Sequence, residues 1–179
     1  MSWQSVGGVA ADVAPASFSA VTGSGETNLW QLINVWTPIA LGALRAGQVR
    51  ELDAGGIIST SSSAPTLTIT SRIGVSVTPG SNVSLGASTA VTMTASLSSA
   101  TWFAKLIFVV RSLGIAASGC TITGNGIAVF GNIPVGLGAA VPTTVDNTVA
   151  SGAILSATWG TSSASNTLTC QWCSLFSRS

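Results

Sequence analysis

The sequence predicts an all-β protein: a jelly-roll-like β-sandwich of about eight to nine strands with an extended N-terminal arm. Three observations predict it. Runs of alternating residues recur at short spacing, Gly, Pro and Ser separate them, and no stretch joins helical periodicity to helix caps.

Residues 1–25 form the expected arm. They are rich in Ala, Gly, Ser and Val, are punctuated by Gly7-Gly8 and Gly23-Ser24-Gly25, and lack sustained periodicity. Trp3, Val6, Val9, Val13 and Phe18 give the arm apolar side chains but no pattern with which to fold alone. Ordering such a segment costs about 1–2 kcal/mol per residue, so it needs an outside surface. A neighbouring subunit, or another protein beneath it, is the expected surface, with Trp3 and Phe18 as anchors.

The sandwich domain spans 26–179. Its first strand is predicted from Asn28, where Leu29, Gln31, Ile33 and Val35 alternate with Trp30, Leu32, Asn34 and Trp36 until Thr37-Pro38 ends the run. Both faces are largely apolar, and Trp30 and Trp36 join Trp3 and Phe18 as candidate interface residues. Gln48–Ser59 is next, with a bulge or a close backbone approach expected at Gly55-Gly56. Thr66–Val77 alternates most cleanly: Leu67, Ile69, Ser71, Ile73, Val75 and Val77 point one way, and Thr66, Thr68, Thr70 and Arg72 the other.

Further strands are predicted over Val91–Leu97, Trp102–Leu113 and Cys120–Phe130, the last with a hairpin-like Gly124-Asn125-Gly126. A loop containing Pro134 and Pro142 precedes Thr143–Val149, Ile154–Trp159 and Asn166–Phe176.

Composition limits what such a domain does. Only 6% of residues are charged, against about 25% in a typical soluble domain, while 46% are hydrophobic. With a formal net charge of +1 the chain has little with which to repel its neighbours, so outer faces covered by other subunits are expected. Arg45, Arg50, Arg72, Lys105, Arg111 and Arg178 are scattered singly, which argues against nucleic-acid binding. No apolar run approaches the roughly 20 residues of a membrane span. Met1-Ser2-Trp3-Gln4 lacks the basic start and apolar core of a signal peptide, so synthesis in a cytoplasm is expected. Cys120, Cys170 and Cys173 are an odd set in a chain long enough to build its own core, and are read as reduced thiols.

Catalytic constellations are scarce. The chain has no histidine and no tyrosine, which removes the commonest general base and zinc ligand. A Ser-His-Asp or Cys-His site cannot be built from it, and it holds neither a Gly-x-Ser-x-Gly elbow nor a Ser-x-x-Lys. Glu51 and Asp53 lie two apart on a predicted strand and share a face, where pairing with basic neighbours is favoured over glycosidase work. Cys170-Gln171-Trp172-Cys173 has redox or zinc spacing, but three residues apart on a regular strand means opposite faces, so two buried thiols are expected. Asn82-Val83-Ser84 matches a glycosylation sequon. Trp3, Trp30, Trp36, Trp102, Trp159 and Trp172 are read as packing residues in preference to a sugar platform. No catalytic residue, metal or cofactor is expected, and the chain is read as a non-enzyme.

Residues 26–74 carry a resemblance. Glu26-Thr27-Asn28-Leu29-Trp30, Leu44-Arg45-Ala46-Gly47-Gln48-Val49-Arg50, Ala54-Gly55-Gly56, Ala64-Pro65-Thr66-Leu67-Thr68-Ile69 and Arg72-Ile73-Gly74 are similar to a jelly-roll module of tailed-bacteriophage virion proteins of the decoration, minor head or tail-tip type. The resemblance covers about a quarter of the chain and consists largely of strand-and-turn chemistry. It implies a trimeric, non-enzymatic homo-oligomer. The resulting expectation is a capsid decoration (cement) subunit that packs on the major capsid protein and resides in the virion. The alternative is a receptor-binding tail or spike domain that holds a host-surface glycan.

Overall fold

The computed structural model describes residues 19–30, 38–39, 44–113, 119–139, 141–148 and 151–178. These form β1 (Thr27–Asn28), β2 (Pro38–Ile39), β3 (Val49–Ser59), β4 (Thr66–Gly74), β5 (Val83–Ala87) and β6 (Val91–Thr92). They continue with β7 (Ala100–Leu113), β8 (Cys120–Phe130), β9 (Ile133–Gly138), β10 (Thr143–Val145), β11 (Ser151–Trp159) and β12 (Thr167–Arg178). Among the described residues the only helical element is one 3-10 turn, Pro79–Ser81. The fold is all-β, as the sequence predicts.

Every strand pairing among the described residues is antiparallel, and one path runs β1-β11-β4-β5-β9-β8-β7-β3-β12. The short β2 and β6 attach to β11 and β4, and β10 attaches to β8. The sheet curls into a sandwich-like shape, because residues from both halves of the path meet in one apolar core. Leu52, Ile58, Leu106 and Phe108 share it with Ile69, Ile73, Ile154 and Trp159.

Alternation fixes most strand faces. In β4, Leu67, Ile69, Ser71 and Ile73 are buried as expected. Val75 and Val77 are exposed because the strand stops at Gly74. There the Asn82 side chain accepts from Ser76 N at 2.9 Å and donates to Ser76 O at 2.8 Å, and a Cβ on Gly74 would lie 2.2 Å from Asn82 Oδ1.

Other boundaries are corrected. β1 is only Thr27–Asn28, Leu29 and Trp30 follow in a bend, and 31–36 lie outside the described residues. The strand expected over Val91–Leu97 is β6 alone, because Thr94 O and Leu97 N bond the Thr60 hydroxyl instead of a neighbouring strand. The predicted loop around Pro134 is strand β9. Pro134 opposes Val129 of β8, while the other edge of β9 meets β5 only at Gly138, so the missing N–H interrupts no ladder.

Gly124-Asn125-Gly126 is not a turn either, since β8 runs straight through it. A Cβ on Gly126 would lie 2.4 Å from Lys105 O, so close approach of β7 explains that glycine. The turn falls at Gly131, where φ is +60°.

The bulge expected at Gly55-Gly56 sits on the partner strand. Cys170 opposes Gly56 and Trp172 opposes Gly55, which leaves Gln171 as the extra residue of β12. Neither glycine is among the positive-φ residues, but both allow close approach. A Cβ on Gly56 would lie 2.0 Å from Thr169 O, and one on Gly55 would lie 2.6 Å from Trp172 Cζ2.

The last part of the expected arm belongs to the domain. Val21 is buried and exchanges backbone hydrogen bonds with Leu168 of β12, at 2.9 and 3.1 Å. Its carbonyl also accepts from Trp159 Nε1 at 2.8 Å. Six residues on, β1 pairs with β11, so the segment from Val21 to Asn28 links the last strand of the path to the opposite end. Residues 1–18 lie outside the described residues.

Candidate functional site

Of the four expected interface residues, only Trp30 falls among the described residues. Trp3, Phe18 and Trp36 lie outside the described residues. Trp30 is a core side chain at 1% exposure, so the interface reading is corrected there: its surface is already spent inside its own chain. Trp102 and Trp159 are also buried, the former stacked on Phe130 with ring centroids 5.6 Å apart.

Exposed apolar side chains gather on the outer face of β12, β3, β7 and β8. Register sets them in rows that cross the four strands. Trp172, Gly55, Phe103 and Val129 make one row; Ser174, Asp53, Lys105 and Ile127 the next; Phe176, Glu51, Ile107 and Asn125 the third. Trp172, Phe103, Ile127, Ile107 and Phe176 are each between 37% and 49% exposed. Isolated exposed apolar residues are ordinary, whereas a contiguous set marks an interaction surface.

Local sequence explains the placement. β7 is apolar on both sides: Ala104, Leu106, Phe108 and Val110 point into the core, and Phe103 and Ile107 point out on either side of Lys105. The Gln171 bulge places Trp172 opposite Gly55, and with no Cβ there the indole lies against the sheet. Composition hinted at such a face, but alternation alone could not say which apolar side was outside.

Charges cross the face and are tied together. Lys105 Nζ lies 2.5 Å from Glu51 Oε1 and 3.6 Å from Asp53 Oδ2. Arg178 Nη2 approaches Glu51 Oε2 at 2.5 Å, without hydrogen-bond alignment. Burial pushes the Asp53 carboxyl up, and Lys105 opposes that rise. The hydrogen bond to Glu51 raises the Lys105 ammonium pKa. Glu51 and Asp53 thus share a face as the sequence predicts, and both are held by a cation.

Beside them, Lys105, Ile107, Asn125, Gly126 and Ile127 line a groove of about 530 Å³ between β7 and β8. Its floor is apolar.

Cys170 and Cys173 depart from the expected geometry. The bulge adds a residue between them, so both thiols are buried on the core side, against Gly56 and Ala54. A hydrogen bond with the Cys173 thiol, and then burial, push the Cys170 thiol far up. A thiol held protonated is a poor nucleophile, which suits packing. The sequon residue Asn82 is also buried, with both ends of its amide bonded to the Ser76 backbone. Among the described residues no group of three or more His, Cys, Asp or Glu side chains is placed to hold a metal ion.

No protein-family model, curated protein or solved structure matches this chain.

Proposed function

We propose that this chain is a non-enzymatic virion structural protein, a capsid decoration subunit that stabilises the shell by packing its outer sheet face against other subunits. The observation that carries the reading is the set of exposed apolar side chains Trp172, Phe103, Ile127, Ile107 and Phe176 on one sheet face. Covering it would release water from about 400 Å² of apolar side-chain surface. Glu51, Asp53, Lys105 and Arg178 on that face are already paired, so covering these four costs less than burying free ions. The virion setting rests on the resemblance of residues 26–74, which also implies a homo-oligomer on the major capsid protein. Repetition of a modest contact around a shell multiplies its effect.

Sedimentation of full-length protein with empty tailed-phage capsids tests this. Co-sedimentation at many copies per particle, weakened by Phe103→Ser, supports the decoration role. Full-length protein that stays in the supernatant overturns it. One observation favours a tail or spike domain instead: the exposed Trp172 indole over Gly55 is a flat stacking surface of the kind sugars use. A few copies per virion, with tryptophan fluorescence that responds to host glycan, would select that reading.

A further inference from the structure

We propose that the outer face of β12, β3, β7 and β8 binds a second copy of this chain about a two-fold axis. The axis runs parallel to the strands, above the line between β3 and β7. This deepens the proposed function, resting on its use of this face as an interface but not on the virion setting. It makes the elementary oligomer a pair in place of the trimer the resemblance implies.

The charge pattern argues for a copy of the same chain. Acids stand on β3, at Glu51 and Asp53, and the cation of the middle row stands on β7, at Lys105. A two-fold axis along the strands lays β3 of each copy over β7 of the other and keeps the rows in register. Asp53 then faces Lys105 of the second copy, and the reciprocal contact repeats it. The four charges close into one alternating ring, as a self-complementary interface requires.

Shape points the same way. The operation that pairs these charges lays β12 of one copy over β8 of the other. Phe176, which shares a row with Asn125, then sits over the groove formed by Ile107, Asn125, Gly126 and Ile127 of the second copy. Trp172 meets Val129, Phe103 meets Gly55, Phe176 meets the groove beside Asn125, and none meets its own image. A standard interface buries roughly 800 Å² per partner, so the flanking polar residues must join the apolar patch in the contact. Sheets that pack face to face in this aligned way lie about 10 Å apart, room for one interdigitated layer.

The chain has a single lysine, which makes the test direct. In the proposed pair the two Lys105 side chains flank the axis. A lysine-reactive cross-linker with a spacer of about 10 Å should therefore join Lys105 to Lys105 of the second copy. Sedimentation equilibrium of the full chain should give twice the monomer mass. Phe103→Ser and Ile127→Ser alter exposed side chains, and each should weaken association by about tenfold or more with an unchanged circular dichroism spectrum. A monomer at high micromolar concentration overturns the proposal. A trimer, or a dimer without the Lys105–Lys105 link, does so as well. A dimer that ignores capsids leaves the pair standing and removes the decoration reading. A monomer that decorates capsids does the reverse.

Discussion

Strands β7 and β11 start from similar chemistry and end in opposite surroundings. Both carry apolar residues on each face. In β11 nearly every residue is buried within its own chain, from Ser151 through Trp159, while in β7 Phe103 and Ile107 face outward. Inside the covered strand even the polar groups are matched. Ser156 donates to Glu26, and Arg72 grips Glu26 from β4 at 2.7 and 2.8 Å. A strand apolar on both faces is normally covered on both faces. The difference leaves the second face of β7 open within this chain.

Substitutions on opposite faces of β7 probe that contrast most strongly. Phe108 is fully buried, and Phe108→Ala should lower the unfolding free energy by about 3–5 kcal/mol in a urea melt. On the outer face, Phe103→Ala should change monomer stability by less than about 1 kcal/mol and act on association instead. Equal destabilisation by the two would remove the distinction between a core face and an open face.

Gly56 and Gly55 separate backbone from side-chain obstruction. Gly56→Val drives its Cβ into the Thr169 carbonyl, which the bulge fixes, and should cost several kcal/mol, of the order of about 3. Gly55→Val meets only the half-exposed Trp172 ring, which can swing away, and should cost less. A thermal melt of each variant compares them, and equal shifts would contradict the structure at the bulge.

The seam on the covered side has its own test. A chain that begins at Ser19 keeps Val21, whereas one that begins at Glu26 loses the Leu168 pairing and leaves Trp159 Nε1 without its acceptor. The second should be less stable by about 1–3 kcal/mol from the orphaned donor alone. Equal stability of the two chains would show that the segment contributes little.

The smallest expected effect is on pH. Burial would raise the Glu26 pKa, but Arg72 and Ser156 hold it below its ordinary value of 4.5. A depressed carboxylate stabilises the fold above its unfolded-state pKa, and that share is lost as pH falls through the folded-state value. Asp53 has the opposite sign: burial raises it, so acid relieves its cost. Between pH 5 and pH 3, Glu26→Gln should therefore flatten the decline of stability, and Asp53→Asn should steepen it. A set of urea melts across that range reads both.

Legibility followed the range of the interaction. β3, β7, β8 and β12 were readable within two residues at either end, because alternation is a property of the strand itself. Strand β9 was hidden because Pro134 and its glycines look like a loop, and only a one-sided ladder accommodates them. Phe103, Ile107, Trp172 and Phe176 were visible as apolar residues, yet as an interaction face they exist only through register across four strands. Cys170 and Cys173 were placed on opposite faces by ideal spacing, and a bulge reversed that.

The sequence by itself determined that this protein is all-β, that it is poor in charge, and that it lacks the histidine-based chemistry of many enzymes. Those properties follow from composition and period-two patterning, which each segment carries alone. Tertiary structure decided which apolar side of β7 became the core, where the extra residue of β12 fell, and that Glu51, Asp53 and Lys105 would join. These outcomes depend on strand register and on the order of strands in the sheet. Register is set by long-range pairing, and a shift of one residue turns every side chain to the other face.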